Sequence, residues 1–386
     1  MMVYKANQPF LSGVLNPTSQ LSDNPVIHWI YNHDILHCTA KGVEGNHLYS
    51  ARALGMTNPG DLIQLHPALR SEWRYICEHY ARVGLEHATE VIWNTDQEQL
   101  GLNPEYQPSV FFFGEEENRV HRDQGWLDIV SYINSKNNFI KLAEKLGVPV
   151  PKTYCFDRAD EINAETTEAF VFPCYLKAAI SVSGVGIHRC ESAAEMLWAA
   201  NDFDPATPVQ VQEEVKTDCF LNMQYESING ECRRLLTTEQ ILDGPVHQGN
   251  LYPARAAPWK LVEPMAEWLA ERDFKEIFAF DVAVIEEGTD KRYLAIECNP
   301  RFNGASYPTA IALKLDIPEW EARNFKTWHK SLAEIDLNGL EYNNSSGEGV
   351  IIVNWGPVLV GKIMIMLAGS AFTRQKLEVE LRKRLW

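Results

Sequence analysis

The second half of the chain alternates apolar and polar residues with the two-residue period of β-strands. Residues 220–226 and 231–238 flank Asn229-Gly230, a turn sequence typical of β-hairpins. Residues 278–285 and 292–297 flank the polar turn 286–291, which predicts a second hairpin. Residues opposite each other in an antiparallel pair share a face of the sheet, so this hairpin is expected to place Asp281 beside Glu297.

Helical periodicity appears in three stretches. Apolar residues at helical spacing predict a helix over 69–83, a helix or helix pair over 129–146, and an amphipathic helix over 372–386. Strands are predicted at 24–30, 110–114, 171–177 and 208–212. In the first 130 residues strands and helices alternate, which indicates an open α/β layer.

The stretch 350–372 is almost long and apolar enough to cross a membrane, but polar and helix-breaking residues interrupt it: Asn354, Pro357, Gly361 and Lys362. We therefore expect two short strands joined by a turn, and no membrane association. The polar segment 331–349 before it is expected to be a linker or mobile loop.

Length, charge and cysteine usage narrow the class of protein. A chain of 386 residues is expected to form two or three domains. The net charge of −17 argues against nucleic acid as the main partner, although one basic pocket could still bind a nucleotide. The eight cysteines have no CxxC or metal-ligand spacing, so we expect reduced thiols in a cytoplasmic protein. The oligomeric state is not determined by these features, and a homodimer is one of the possibilities.

Three polar side chains at alternate positions end the strand at 292–297. Glu297, Asn299 and Arg301 are expected to share one face, because side chains two apart on a strand point the same way. Carboxylate and amide oxygens suit a hard cation, and a guanidinium suits phosphate. With Asp281 as a second carboxylate, the strand end predicts a magnesium site. The alternative is a charged strand end that leads into a turn.

Two further segments carry candidate nucleotide contacts. Lys177 is followed by a run of small and hydroxylated residues whose N–H groups could approach a triphosphate closely: Ser181, Ser183, Gly184 and Gly186. A plain hairpin turn is the alternative explanation. After the strand at 208–212, residues 213–215 could offer backbone groups to an adenine, and Asp218 a carboxylate to ribose hydroxyls; a solvated acidic turn is the alternative.

The order of these features resembles the ATP-grasp superfamily over about residues 131–310. The resemblance rests on the order of Lys136, Lys177 with its glycine-rich loop, the acidic hinge, Asp281, and the motif Glu-x-Asn-Pro-Arg-x-x-Gly that begins at Glu297. It implies roles for each matching position. The phosphates of ATP would be bound by Lys136 and Lys177 and by the loop residues Ser181, Ser183, Gly184 and Gly186; adenine would be contacted by Glu213, Glu214 and Val215, with Asp218 beside them. Mg²⁺, or Mn²⁺ as an alternative, would be bound by Asp281, Glu297 and Asn299. The implied catalytic residues are Lys177 and Arg301.

The resemblance implies an α/β (α+β) protein with three parts. These are an N-terminal α/β domain (1–130), an ATP-grasp domain (131–330, with a lid at about 150–212) and a linker followed by a β-hairpin and helix (331–386). The first part is loosely similar to the divergent N-terminal domain of some peptide and amino-acid ligases.

The implied activity is that of an ATP- and Mg-dependent ligase, which activates a small-molecule carboxylate as an acyl phosphate and joins it to an amine, with a thiol acceptor as an alternative. Two alternatives stay open: an inactive nucleotide-binding regulatory or scaffold protein, and a phosphotransferase with the same fold. His247, in a loop-like sequence, is a candidate substrate contact or base, with a solvated histidine as the alternative. The sequence does not identify either substrate.

Overall fold

The computed structural model describes residues 27–39, 43–181, 186–244, 246–288 and 290–386. Within these ranges the strands are β1 (Trp29–Asn32), β2 (Leu62–Gln64), β3 (Glu90–Ile92), β4 (Gln107–Val110), β5 (Thr153–Phe156), β6 (Cys174–Ala178), β7 (Ile187–Cys190), β8 (Val209–Glu213), β9 (Phe220–Ile228), β10 (Glu231–Asp243), β11 (Val246–Tyr252), β12 (Glu276–Glu287), β13 (Asp290–Asn299), β14 (Trp320–Lys326), β15 (Gly349–Asn354) and β16 (Lys362–Ala368).

The α-helices in the same ranges are α1 (Trp73–Val83), α2 (Glu98–Gly101), α3 (Glu115–His121), α4 (Gln124–Asn134), α5 (Lys136–Lys145), α6 (Ala164–Thr167), α7 (Ala193–Ala200), α8 (Trp259–Ala270), α9 (Ser306–Lys314) and α10 (Ala371–Arg384). Short 3-10 helices cover Asn46–Met56, Pro67–Ser71, Ala159–Glu161, Leu332–Glu334 and Gly356–Val360. The helices predicted near the start and end of the chain are confirmed, in α1 and α10.

The chain forms two compact units, each discontinuous in sequence. Unit 1 contains Met1–Arg122, Gln248–Pro253 and Phe302–Trp386, and unit 2 contains Asp123–His247 and Ala254–Arg301. These contact units differ from the predicted division at 130 and 330, because they join 302–386 to the first segment. The three-part domain division itself stays a prediction.

Unit 1 contains a parallel sheet in the strand order β3-β2-β1-β4. Its centre is fully buried at Ile30 and Tyr31, because a parallel sheet is covered on both faces. The predicted α/β layer is confirmed. The predicted strand at 110–114 is not, since β4 ends at Val110 and the phenylalanine run follows it. Residues 24–26 of the predicted strand 24–30 lie outside the described residues, and β1 begins at Trp29.

The other strands of unit 1 follow the order β11-β14-β16-β15, with antiparallel pairing throughout. The two short strands predicted within 350–372 are therefore confirmed as β15 and β16, and β16 also pairs with β14. In the described residues no helix has the length and apolar character that a membrane span requires. The segment 331–349 is held by hydrogen bonds at several points, including Tyr342 N to Val350 O at 3.0 Å.

Unit 2 contributes four antiparallel strands in the order β13-β12-β9-β10 and a separate sheet in the order β5-β8-β6-β7. Both predicted hairpins are confirmed, as β9–β10 and β12–β13. Asn229 (φ 52°) and Gly230 (φ 77°) are both left-handed in the first turn, as a tight turn of matching twist requires. The predicted lid segment, at about 150–212, contains the sheet β5-β8-β6-β7.

The predicted helix over 129–146 is a helix pair, α4 and α5. Ser135 separates the two helices in an extended conformation, and its hydroxyl caps α5 by accepting a hydrogen bond from Asn138 N. Because Ser135 stops α4 and starts α5, Asn134 and Lys136 both lie at this break. Each of these two side chains contacts a residue of the Glu297 motif.

Candidate functional site

Three polar side chains lie in a row across neighbouring strands of unit 2. Asp281 on β12 pairs directly with Glu297 on β13, and on its other side with Asn222 on β9. A register shift follows between Asp281 and Val282, so the ladder is irregular at this point. Since directly paired residues share a face, the row places two carboxylates and an amide side by side. The expectation that Asp281 lies beside Glu297 is confirmed.

Two amides fix the carboxylate of Asp281. Asn222 Nδ2 donates to Asp281 Oδ1 at 2.7 Å, and Asn299 Nδ2 donates to Asp281 Oδ2 at 3.0 Å. Asn222 Oδ1 is enclosed without a hydrogen-bond partner among the described residues. Buried polar oxygens normally have a partner, and a bound cation would supply one for this oxygen.

Three cations surround Glu297. Lys136 Nζ, at the start of α5, forms an ion pair with Glu297 Oε2 at 2.6 Å. The charges of Lys177, on β6, and of Arg301 also act on this carboxylate. Lys177 Nζ donates to Gln212 Oε1 at 2.7 Å, and Arg301 Nη1 donates to Asn134 Oδ1 at 3.2 Å. The structure thus brings three predicted residues to Glu297: Lys136 at the helix break, Lys177 of the sheet β5-β8-β6-β7, and Arg301.

Burial and charge move the pKa values of these groups in different directions. Burial, together with the negative charge of Glu297, raises the pKa of Asp281. Burial would also raise the pKa of Glu297, but the charges of Lys136, Lys177 and Arg301 outweigh it and hold that pKa well below its usual range. Burial lowers the pKa of Lys177 to about 8; the charge of Glu297 opposes that shift and the charge of Lys136 adds to it.

The predicted phosphate loop is described in part. Ser183 and Gly184 lie outside the described residues, whereas Ser181 follows β6 and Gly186 precedes β7. Gly186 has a φ of 73°, and its carbonyl accepts a hydrogen bond from Ala178 N at 3.0 Å. Lys136 N donates to Ala179 O at 2.7 Å, which ties the start of α5 to the same segment. The role of the loop in phosphate binding stays a prediction.

The predicted hinge follows β8. Glu213 Oε1 accepts a hydrogen bond from Lys152 N at 2.9 Å, and Glu214 forms an ion pair with Arg189 of β7 at 2.5 Å. Val215 is half-buried, and Asp218 is 87% exposed with Arg255 Nη1 at 3.7 Å. The two glutamates therefore anchor the hinge, and their backbone groups remain the predicted adenine contacts. His247 is exposed in β11, and its role also stays a prediction.

Sequence reasoning did not select Asn222, Gln212 or Asn134, which hold Asp281, Lys177 and Arg301. The alternating strand pattern of 220–226 does contain one usable signal, since Asn222 is polar inside a buried strand. A polar residue there requires a partner, but the pattern alone does not say which.

The oxygen atoms around Asp281 suit a hard cation. They belong to two carboxylates and to amides, the ligands that Mg²⁺ prefers. In the described part of the chain no three or more His, Cys, Asp and Glu residues are grouped in a way that could hold a metal. Two carboxylates with an amide fit a metal that completes its shell with phosphate oxygens and water, as Mg²⁺ does in nucleotide sites.

Solved structures share this architecture, and they define it as the ATP-grasp fold. An N5-carboxyaminoimidazole synthetase from Staphylococcus aureus matches with a TM-score of 0.58 and 12% identity, over 93% of this chain and 96% of that one. An N5-carboxyaminoimidazole synthase from Aspergillus clavatus, in complex with ADP and 5-aminoimidazole ribonucleotide, matches with a TM-score of 0.54 and 14% identity, over 85% and 98%.

The N5-carboxyaminoimidazole ribonucleotide synthetase from Thermus thermophilus gives a TM-score of 0.53 and 13% identity, over 93% of this chain and 98% of that one. No protein-family model matches the chain, and no curated protein matches it significantly. At these identities the likeness shows the fold alone, and the predicted ATP-grasp fold is confirmed.

We expect Asn222→Ala to weaken metal binding without unfolding the protein. The change removes one of the two donors to Asp281, so the Asp281 carboxylate is less well oriented and its pKa rises further. Losing such an orienting partner typically costs about 10–100-fold in metal affinity. Titration of Mn²⁺ by electron paramagnetic resonance, with ADP present, measures the change. Asn201→Ala, at an exposed helix end of the same unit, is the matched control. An unchanged Mn²⁺ affinity for Asn222→Ala would contradict the role of Asp281 as a metal ligand.

Proposed function

We propose that the protein is an ATP-dependent, ADP-forming ligase that activates a carboxylate as an acyl phosphate and joins it to an amine. The observation that carries the proposal is the direct pairing of Asp281 with Glu297, with Asn299 bound to Asp281 and three cations around Glu297. Paired carboxylates, one of which feels the charges of three cations, match a bound metal next to a bound polyphosphate. A structural ion pair would need only one cation for each carboxylate.

In this proposal the phosphates of ATP lie against Lys136, Lys177 and Arg301. Asp281, Glu297 and Asn299 would hold Mg²⁺, which would supply charge neutralisation at the phosphates. Lys136 is bound to Glu297 at 2.6 Å, so it is already at the boundary between the metal and phosphate positions. Lys177 is fixed by Gln212, and Arg301 by Asn134, so both cations are oriented before the substrate arrives.

The chemistry requires no protein nucleophile. A substrate carboxylate oxygen bonds to the γ-phosphorus of ATP as the bond to the β-phosphate oxygen breaks and ADP leaves. The amine nitrogen then bonds to the acyl carbon, phosphate leaves with the electrons of the C–O bond, and the amine proton passes to phosphate or water. Such transfers depend on alignment and on charge neutralisation, which the three cations supply. Cys298, on the opposite face from Glu297, takes no part.

The solved relatives support an ATP-consuming reaction of this type. One of them is described in complex with ADP and 5-aminoimidazole ribonucleotide, a compound with an amino group. For this chain we leave the carboxylate and the amine undefined beyond small molecules, since identities of 12–14% carry no substrate assignment. The eight cysteines have no CxxC or metal-ligand spacing, which supports a reducing compartment, and we propose the cytoplasm.

An ADP-release screen tests the proposal. The full-length protein is incubated with Mg-ATP and pairs drawn from small carboxylates and amines, among them amino acids. We expect ADP release that requires both members of one pair, with an amide product seen by mass spectrometry. A stable phosphorylated product without any amine would favour the phosphotransferase alternative. Nucleotide binding without ADP release from any pair would favour the binding or scaffold alternative.

A further inference from the structure

Unit 1 contains a buried arginine that has no acceptor for two of its donor atoms. Arg52, in the 3-10 helix Asn46–Met56, is 8% exposed. Its Nε and Nη2 atoms are enclosed and have no hydrogen-bond partner among the described residues. Its guanidinium carbon lies 4.2 Å from the ring centre of Phe111, 4.5 Å from that of Tyr307 and 5.3 Å from that of Tyr49. Aromatic rings attract a cation, but they do not replace the acceptors that its N–H groups require.

The position of Arg52 in the fold is one where α/β sheets bind ligands. In the order β3-β2-β1-β4 the chain proceeds from β1 to one side and later returns to the other side of it, so β1 and β4 flank a topological switch point. Ligands of open α/β sheets bind beyond the carboxyl ends of the strands at such a point. Phe111 follows β4 directly, and His33 follows β1 and is linked to Ser109 of β4 at 3.1 Å.

The surroundings of Arg52 favour a singly charged anion. Both nitrogens of His33 are engaged, with Tyr307 Oη at 3.0 Å and Ser109 Oγ at 3.1 Å, and burial holds its pKa well below the usual range, so His33 is neutral. Asp34 is near enough to interact electrostatically with Arg52, but no ion pair joins them. A nearby carboxyl group disfavours a doubly charged phosphate more than a carboxylate, because like-charge repulsion grows with charge.

We propose that Arg52 is the anchor of a small-molecule carboxylate site at the carboxyl edge of the parallel sheet, with Nε and Nη2 donating side by side to the two carboxylate oxygens. This two-donor edge matches a carboxylate in spacing and plane. Phe111 and Tyr307 are buried, whereas Tyr49 is only half-buried, so the Tyr49 ring is the one that turns aside to admit the ligand. The site is confined to unit 1, and carboxylate binding is expected without nucleotide.

The test is a titration of the full-length protein, labelled with ¹⁵N-arginine, with sodium acetate and sodium benzoate at constant ionic strength. The Arg52 Nε–H signal is assigned as the one that Arg52→Met lacks; if Arg52→Met does not fold, Arg52→Lys assigns it. We expect this signal to shift saturably with at least one of the two probes, with a midpoint of about 1–10 mM, an affinity reasonable for a fragment of the natural ligand. Thermal unfolding gives a second measure: the saturating probe should raise the Tm of the wild-type protein and not that of the Arg52 variant.

Arg74→Met is the matched control, since Arg74 is in the same unit, 79% exposed and paired with Glu78. It should keep the full response to the probe. Sodium phosphate at the same concentration should leave the Arg52 signal in place. The proposal is overturned if neither carboxylate moves that signal saturably, if phosphate moves it as strongly, or if the Arg52 variant keeps the Tm response. Because ATP is absent throughout, failure here leaves the ligase proposal to its own ADP-release screen.

Discussion

Replacing Glu297 with glutamine is expected to abolish ATP consumption while leaving the fold intact. The carboxylate is where Lys136, Lys177 and Arg301 converge, and it pairs directly with Asp281. Glutamine keeps the shape but removes the charge, so the metal loses a ligand and the cations lose the charge that holds them in place. Removing one well-placed electrostatic group typically costs about 10²–10³-fold in turnover, and a lost metal ligand costs more. ADP release with the substrate pair found in the screen measures the loss, and circular dichroism checks the fold.

Glu286→Gln is the matched control for this experiment. It makes the same chemical change on the same β12–β13 hairpin, but Glu286 is exposed and pairs only loosely with Lys291, at 3.6 Å. We expect wild-type turnover from it, because surface ion pairs contribute little. Turnover by Glu297→Gln within a few-fold of wild type would rule out the metal assignment and, with it, the proposed mechanism.

The approach of Asp281 to Glu297 could be predicted from the sequence because a hairpin pairs strands that are near each other along the chain. Counted from the turn after β12 in regular register, Asp281 would face Ile296, and the irregularity between Asp281 and Val282 shifts the pairing by one residue, to Glu297. Alternation along the strand then places Asn299 and Arg301 on the same side as Glu297. Both steps need only residues that are near each other in sequence, and the strand register confirms the pairing of Asp281 with Glu297.

The supporting residues could not be predicted, because their contacts join segments far apart in sequence. Asn222 meets Asp281 across 59 positions, and Arg301 meets Asn134 across 167. No turn fixes the register between β9 and β12, so a polar residue inside β9 had no identifiable partner. Arg52 gives even less signal, since an arginine in a helix is ordinarily a surface residue and only the packing of three rings shows its burial.

Lys177→Met is expected to weaken Mg-ATP binding about 10–100-fold at pH 7, the effect of losing one charge-assisted hydrogen bond to phosphate. The pH dependence makes the prediction specific. Burial lowers the pKa of Lys177 to about 8, and phosphate binds the protonated form. Wild-type affinity should therefore fall as pH rises above 8, by up to about tenfold per pH unit. The methionine variant lacks the titrating group, so its affinity should stay flat from about pH 7.5 to about 9.

Lys314→Met controls for the second lysine that titrates in this range, since burial lowers its pKa to about 8 as well. Lys314 belongs to unit 1, where its ammonium donates to Thr57 O and Glu86 O, so its loss should leave the pH dependence of nucleotide affinity unchanged. Isothermal titration calorimetry with a non-hydrolysable ATP analogue and Mg²⁺ gives the affinities at each pH. Wild-type affinity in Lys177→Met would remove Lys177 from the nucleotide site. A pH dependence that persists in Lys177→Met but disappears in Lys314→Met would mean that the titrating group lies in unit 1 and that Lys177 does not determine it.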